Sequence, residues 1–340
     1  MKLATDYCSL MNPSSLLRLP FPRDLTEGGI AYAVRSLPHT YNRMGGSPYD
    51  RLRRIVAGVA VELAFRRHLT QNDIPFDVKG ATPFTDPDRY DVSLGGHRCD
   101  VKSFLLTRRE QIRRVRRDPG LLLDAPALVP SDQDAAEGHR DDDLYLFAFA
   151  TALNAASPRD LQAALAAGQP IHLIHAFPKA WANPQAWTPL GRLALKSDCD
   201  SEVTLEIGGQ VESREYASEK IVLKPRTRTE ASTAFFSVAS LHAASPPDGR
   251  IALRSPARGE TYVIPQIDWG NVWVYGMDIF LTGWLPRGEF RQRARFIPSG
   301  TRVFQYSETR VKNLAVDVRD LRPLGALLEK VKEWEKTKSP

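Results

Sequence analysis

"YDVSLGGHRCDVKSF", residues 90–104, is two strand-like runs joined by a pair of glycines. A Gly-Gly pair in that position reads as a two-residue hairpin loop, because both central residues of a primed turn take positive φ. The loop fixes the register: Leu94 opposite His97, Ser93 opposite Arg98, Val92 opposite Cys99 and Asp91 opposite Asp100. Like charges directly opposite one another weaken a ladder, so two aspartates in that position ask for a cation between them. Side chains alternate along a strand, which gathers Asp91, Asp100 and Lys102 on one face and sends Val92, Cys99 and Val101 to the other, toward a core. Two carboxylates beside an ammonium suit Mg²⁺, an ion that takes a few carboxylates and keeps waters a substrate can displace.

Upstream, "SPYDRLRRIVAGVAVELAFRRHL", residues 47–69, predicts a helix. Ser47-Pro48 reads as a cap with proline at the first helical position, and Leu52, Ile55, Val56, Val59 and Leu63 recur at helical spacing. Glu62 falls inside that apolar arc. A carboxylate there either serves a metal or pairs with Arg66 one turn on.

Asp91, a short hairpin and then Asp100-Val101-Lys102 together resemble the PD-(D/E)XK nuclease superfamily, with Tyr90 standing where the family carries proline. A second Asp-x-Lys, Asp77-Val78-Lys79, has no acidic strand before it. The resemblance covers the first half of the chain. It implies that Asp91, Asp100 and the Val101 carbonyl bind one or two Mg²⁺, with Mn²⁺ as a substitute, and that Glu62 completes the shell or holds a second ion. It implies metal-dependent cleavage of phosphodiester bonds leaving a 5′-phosphate. Lys102, flanked by carboxylates, is then an electrostatic group rather than a general base. Some relatives place a glutamine near the metal after a basic helix; Gln133 in "ALVPSDQ" is a loose match, the alternative being a loop with an Asx turn.

The order of elements fits: helix 47–69, a first strand at 74–79, the hairpin 89–104, a basic helix, an apolar strand 144–150, a capped helix 157–168 and a strand 170–177. The expected fold class is α/β, an α+β mixed sheet flanked by helices with a restriction-endonuclease-like core, followed by a β-rich second domain. The expected division is an N-terminal arm 1–46, a nuclease core 47–185 and a recognition or partner-binding domain 186–340 ending in a helix. In the arm, Tyr32, Arg35, His39, Tyr41, Asn42 and Arg43 lie between glycine pairs, placed either to grip DNA or to pack the arm on the core. Beyond residue 185 short strands alternate with Gly and Pro. Trp269, Trp273, Tyr275 and Trp284 there read as core.

The net charge of +6 matters less than its distribution. "TRREQIRRVRR", 107–117, puts Arg109, Arg113, Arg116 and Arg117 along one side of a helix, with Ile112, Val115 and Leu121 on its buried side. Such a stripe either holds a phosphate backbone or is a solvated face. Arg51, Arg53, Arg54, Arg66 and Arg67 form a second cluster with the same two readings. Asp141–Asp143 read as a solvated acidic loop, and His172 and His175, three apart on one strand, cannot share a face as a metal pair.

Cys8, Cys99 and Cys199 have no paired spacing, which argues against a disulfide scaffold or zinc finger and suits a reducing cytosol. No apolar run approaches a membrane span. The expectation is therefore a cytoplasmic Mg²⁺-dependent DNA endonuclease of a prokaryotic restriction or phage-defence system, possible as a homodimer. Two alternatives stand beside it: a nuclease subunit acting on RNA, DNA ends or junctions with a partner ATPase or helicase, and a non-catalytic DNA-binding scaffold. No NTP-binding loop is visible in the chain.

Overall fold

The computed structural model describes residues 11–40, 48–78, 90–155, 157–167, 171–243 and 245–338. Cys8, Ser47, Lys79 and the Tyr41–Arg43 stretch lie outside them. The chain is mixed α/β and divides into two compact units that do not follow the linear division expected from the sequence. The first unit is residues 1–28, 57–153 and 276–340; the second is 29–56 and 154–275.

The first unit is built on a mixed sheet. β1 (Leu17–Pro20), β2 (Val92–Leu94), β3 (His97–Leu106) and β5 (Leu144–Asn154) are joined by a late strand, Val274–Pro286, in the order β1, 274–286, β5, β3, β2. β3 runs parallel to β5 and antiparallel to β2. The late strand is the main departure from the expected order. Its apolar run, buried at Ile279, Phe280, Leu281, Trp284 and Leu285, suits an interior strand covered on both faces, so it inserts beside β5 instead of closing a separate domain. β1 pairs with it, so Leu17–Pro20 of the expected arm belongs to this sheet, while residues 29–40 fall in the second unit.

Other boundaries also shift. The expected strand at 74–79 is a single antiparallel bridge, Asp77 with Ser93, hydrogen-bonded in both directions at 2.7 and 3.0 Å. The helix α1 (Arg23–Thr40) precedes α2 (Pro48–Gln71), and α3 (Arg109–Arg117) buries Ile112 and Val115 as expected, with Leu122 rather than Leu121 fully covered. The stretch expected to be a loop after α3 contains β4 (Pro126–Pro130) and the single-turn α4 (Ser131–Asp134). β4 forms a small sheet with Asn313–Asp317 and Arg295–Ile297. The core beneath α3 joins Phe104, Leu106, Phe147, Phe149 and Phe290.

The second unit holds two antiparallel sheets over one core that includes Phe177, Trp181, Leu205, Ile207, Leu241 and Trp269. The helix Pro158–Ala166 and the strand Leu173–Ala176, expected in the nuclease core, belong here. His172 meets His242 (Nε2 to Nδ1, 3.0 Å), whereas His175 meets Tyr262 and the Asp268 carbonyl, in keeping with their separate faces. Arg53 is buried in this unit, donating to the carbonyls of Asn271 and Ala155. Arg66 and Arg67 fall in the first unit, so the second arginine cluster of the sequence is divided between the two. Cys99 and Cys199 are buried free thiols, and among the described residues no helix is long and apolar enough to cross a membrane.

The acidic loop before β5 is not merely solvated. Asp143 is buried and accepts two hydrogen bonds from the Arg98 guanidinium at 2.7 and 2.6 Å and one from the Arg140 amide at 2.8 Å. Removing one partner of a buried pair strands the other charge, at a cost of ~3–5 kcal/mol. Asp143→Ala is expected to shift the urea unfolding midpoint down by a corresponding amount, and the apolar pair Arg98→Met/Asp143→Leu to recover much of it.

Candidate functional site

The hairpin forms in the register that its loop dictates: Val92 with Cys99, Ser93 with Arg98 and Leu94 with His97. Gly95 and Gly96 have φ of 57° and 91°, the left-handed pair a primed turn needs. Gly95 is constrained a second way, because a Cβ there would lie 2.6 Å from the Trp334 ring, which packs on the turn and against His97.

At the open end of the hairpin, Asp91 and Asp100 come together. Asp91 donates its amide to the Cys99 carbonyl at 3.0 Å, and its Oδ2 accepts the Val101 amide at 2.6 Å. On β3, Cys99 and Val101 are buried while Asp100 and Lys102 stay partly open, as alternation requires. Further along the polar face, Phe104 and Leu106 pass into the core beneath α3. The site therefore sits where that helical layer stops covering the strand.

Lys102 Nζ lies 2.7 Å from Asp100 Oδ2 and donates to Gln133 Oε1 at 3.1 Å. The loose sequence match at Gln133 is thus brought onto the site lysine. α4 is held there by a network that the sequence reading missed. Asp134, buried, accepts from the Tyr145 hydroxyl at 3.0 Å and lies 3.3 Å from both Arg287 Nε and Arg291 Nε. Arg287 also donates to the Asp134 carbonyl. Tyr145 is the register partner of Asp100 on β5, so one sheet position links the acid to the helix that carries Gln133. A lone Asp and Arg separated by more than a hundred residues carry no local signal that would have paired them.

Glu62 sits on α2 with its Oε2 3.8 Å from Arg66 Nη2, the ion-pair alternative read from the sequence. The same nitrogen donates to the Asp91 carbonyl at 2.7 Å. Arg66 therefore ties α2 to the hairpin and brings positive charge up to its acids. Among the described residues no three His, Cys, Asp or Glu side chains are gathered as a metal centre; the acids brought together are Asp91 and Asp100.

The arginines of α3 do not form one free stripe. Arg113 pairs with Glu110 at 2.7 Å, and Arg116 Nε lies 2.8 Å from the buried Asp278 carboxylate, which also takes Arg18. Arg109 and Arg117 have no partner among the described residues.

Burial pushes the Asp91 carboxyl up to about 7, and the neighbouring Asp100 charge adds to the shift; the Val101 amide, Lys102 and Arg66 oppose it without cancelling it. A carboxyl raised in this way by burial and a neighbouring acid is a functional-site candidate. The donor chemistry fits a hard divalent cation: two carboxylates, each with one oxygen taken by a protein donor and the other left for a ligand. Comparison with protein-family models, with curated proteins and with solved structures finds no match to this chain.

Without divalent cations, the folded Asp91 holds a proton between its unfolded value near 3.8 and about 7, so the folded chain binds more protons than the unfolded one in that window. Stability is therefore expected to fall as pH rises from about 4 to 7. The melting temperature of wild type minus that of Asp91→Asn isolates this slope. Adding Mg²⁺ at pH 8 is expected to raise the melting temperature of wild type and leave Asp91→Asn unmoved.

Proposed function

We propose that this protein is a Mg²⁺-dependent nuclease that hydrolyses DNA phosphodiester bonds at the open end of the hairpin. The observation that carries the reading is the pairing of Asp91 with Asp100, with Lys102 fixed beside them and the Asp91 carboxyl pushed up to about 7. The finer fold assignment, a restriction-endonuclease-like core, belongs to the same proposal. It is supported by the succession of α2, the hairpin, α3 and the parallel strand β5.

Asp91 and Asp100 would hold the cation, with the Val101 carbonyl as a neutral third ligand and Glu62 reaching the shell through water. A bound Mg²⁺ supplies an activated water and offsets charge on the phosphate. Lys102 is a fixed positive charge, anchored by Asp100 on one side and the Gln133 amide oxygen on the other. That anchoring suits it to stabilise negative charge on the phosphoryl oxygens, since a preorganised donor needs no rearrangement as charge develops. Gln133 and the Asp134–Tyr145–Arg287 network position the lysine and do not touch substrate. The Arg66 guanidinium holds the Asp91 backbone in place and adds to the positive field that orients a phosphodiester.

Supercoiled plasmid incubated with wild type and Mg²⁺ is expected to be nicked and linearised, and EDTA to stop the cutting. Lys102→Ala is expected to lower the rate about 10²-fold while melting normally, and Asp91→Asn to abolish cutting. A wild type that cuts neither circular nor linear DNA, or a Lys102→Ala variant that cuts as fast as wild type, would sink the proposal.

A further inference from the structure

A second feature of the first unit has the chemistry to take a nucleic-acid strand, and it does not follow the arginine stripe read from the sequence. Between α3 and residues 302–304 runs a cleft of about 530 Å³, lined by Arg108, Glu110, Gln111, Arg114, Arg302 and Phe304 among others. Its walls are joined: Arg108 Nη2 and Gln111 Nε2 both donate to the Phe304 carbonyl, at 3.0 and 2.7 Å. The one acid in the lining, Glu110, is already engaged by Arg113. Arg114 and Arg302 are exposed and have no partner among the described residues.

Arg302 also lines a second cleft, of about 340 Å³, shared with Arg295 and Phe296. Arg295 is held by Asp317 at 2.7 Å. Phe296 is 55% exposed, the one phenylalanine left so open among the described residues. Most arginines of this unit are matched to a carboxylate; Arg108, Arg114 and Arg302 are not, and of these only Arg108 is held, by Gln111 and the Phe304 carbonyl. Unmatched guanidinium groups suit phosphate oxygens. An open aromatic face sharing a cleft with Arg302 suits an unstacked base, which duplex DNA does not offer.

We infer that Arg114 and Arg302, with Arg108 behind them, bind the phosphates of a single-stranded nucleic-acid segment and that Phe296 stacks one of its bases. For what the bound strand serves, this rests on the nuclease reading; the binding itself does not. β3 carries Asp100 and Lys102 and leads within a few residues into Arg108 and α3, so the ridge and the candidate site belong to one strand-helix unit. The ridge would hold the strand that leaves the cut or the displaced strand of an opened duplex.

The test is fluorescence anisotropy in EDTA, where no cutting occurs, with a labelled thymidine oligonucleotide and a labelled duplex. Wild type is expected to prefer the single strand. Arg114→Glu/Arg302→Glu is expected to weaken that binding at least about tenfold and to flatten the salt slope by about 1.4, the share of two phosphate contacts on a single strand. Phe296→Ala is expected to weaken single-strand binding about fivefold and leave the duplex unchanged. Arg192→Glu/Arg226→Glu makes the same change of charge on exposed arginines paired with Glu230 and Asp200, and is expected to bind as wild type. Unchanged melting temperatures show that the variants fold. No single-strand binding by wild type, a ridge variant that binds normally, or equal loss in the control pair would overturn the inference. A wild type that binds through the ridge but cuts nothing would overturn the nuclease reading alone. One that cuts while the ridge variant binds normally would overturn the ridge alone.

Discussion

Two aspartates held against each other by a two-glycine turn are the constraint around which the first unit is arranged. The hairpin register is set by Gly95 and Gly96 and admits no slip, since a shift of one residue would turn Cys99 and Val101 out of the core. The register therefore forces Asp91 beside Asp100. Everything near them answers that repulsion: the Val101 amide on Asp91, Lys102 on Asp100 and the Arg66 guanidinium on the Asp91 carbonyl. These donors leave the Asp91 carboxyl at about 7. On the proposed nuclease reading, a cation between the two carboxylates would complete the charge balance.

The support behind Lys102 has its own logic. A lysine on a strand edge has a long stem with many rotamers, and ordering it costs entropy. Here its ammonium has a carboxylate on one side and an amide oxygen on the other. The amide comes from a one-turn helix that could not stand alone. α4 is stable because Asp134 is buried among Tyr145, Arg287 and Arg291. A buried carboxylate needs such partners, and the same partners fix the helix that fixes the lysine.

The hairpin, its register and the two-faced strand were legible in the sequence because they depend on local rules: a turn type and a period of two. α2, α3 and β5 were legible for the same reason. The unit boundaries were not. Residues 271–290 read as two apolar strands running into a helix start; the chain makes one long strand, Val274–Pro286, and which sheet it joins depends on a gap beside β5 that only the folded chain defines. The sequence also counted charges without their partners. Arg116 read as either a phosphate contact or a solvated face, and Asp143 as solvated surface; they are tied to Asp278 and Arg98, because side chains far apart in the chain meet only after the sheet has formed. Gln133 was visible as a residue type, and its placement on Lys102 depended on the Asp134 network, which has no local signature.

Partnering also changes how the charge of α3 is to be read. A run of arginines on one helix suggests a single electropositive stripe, yet guanidinium groups already paired with Glu110 or Asp278 present little unbalanced charge. What a polyanion meets is the residue left over after internal pairing. On this helix that remainder is Arg109, Arg114 and Arg117, and beside Arg114 the 302–304 segment adds a further arginine with no carboxylate of its own. The positive field is therefore shaped by where the acids are as much as by where the arginines are. At the hairpin Lys102 and Arg66 stand against Asp91 and Asp100, and it is chiefly burial that leaves the Asp91 carboxyl raised.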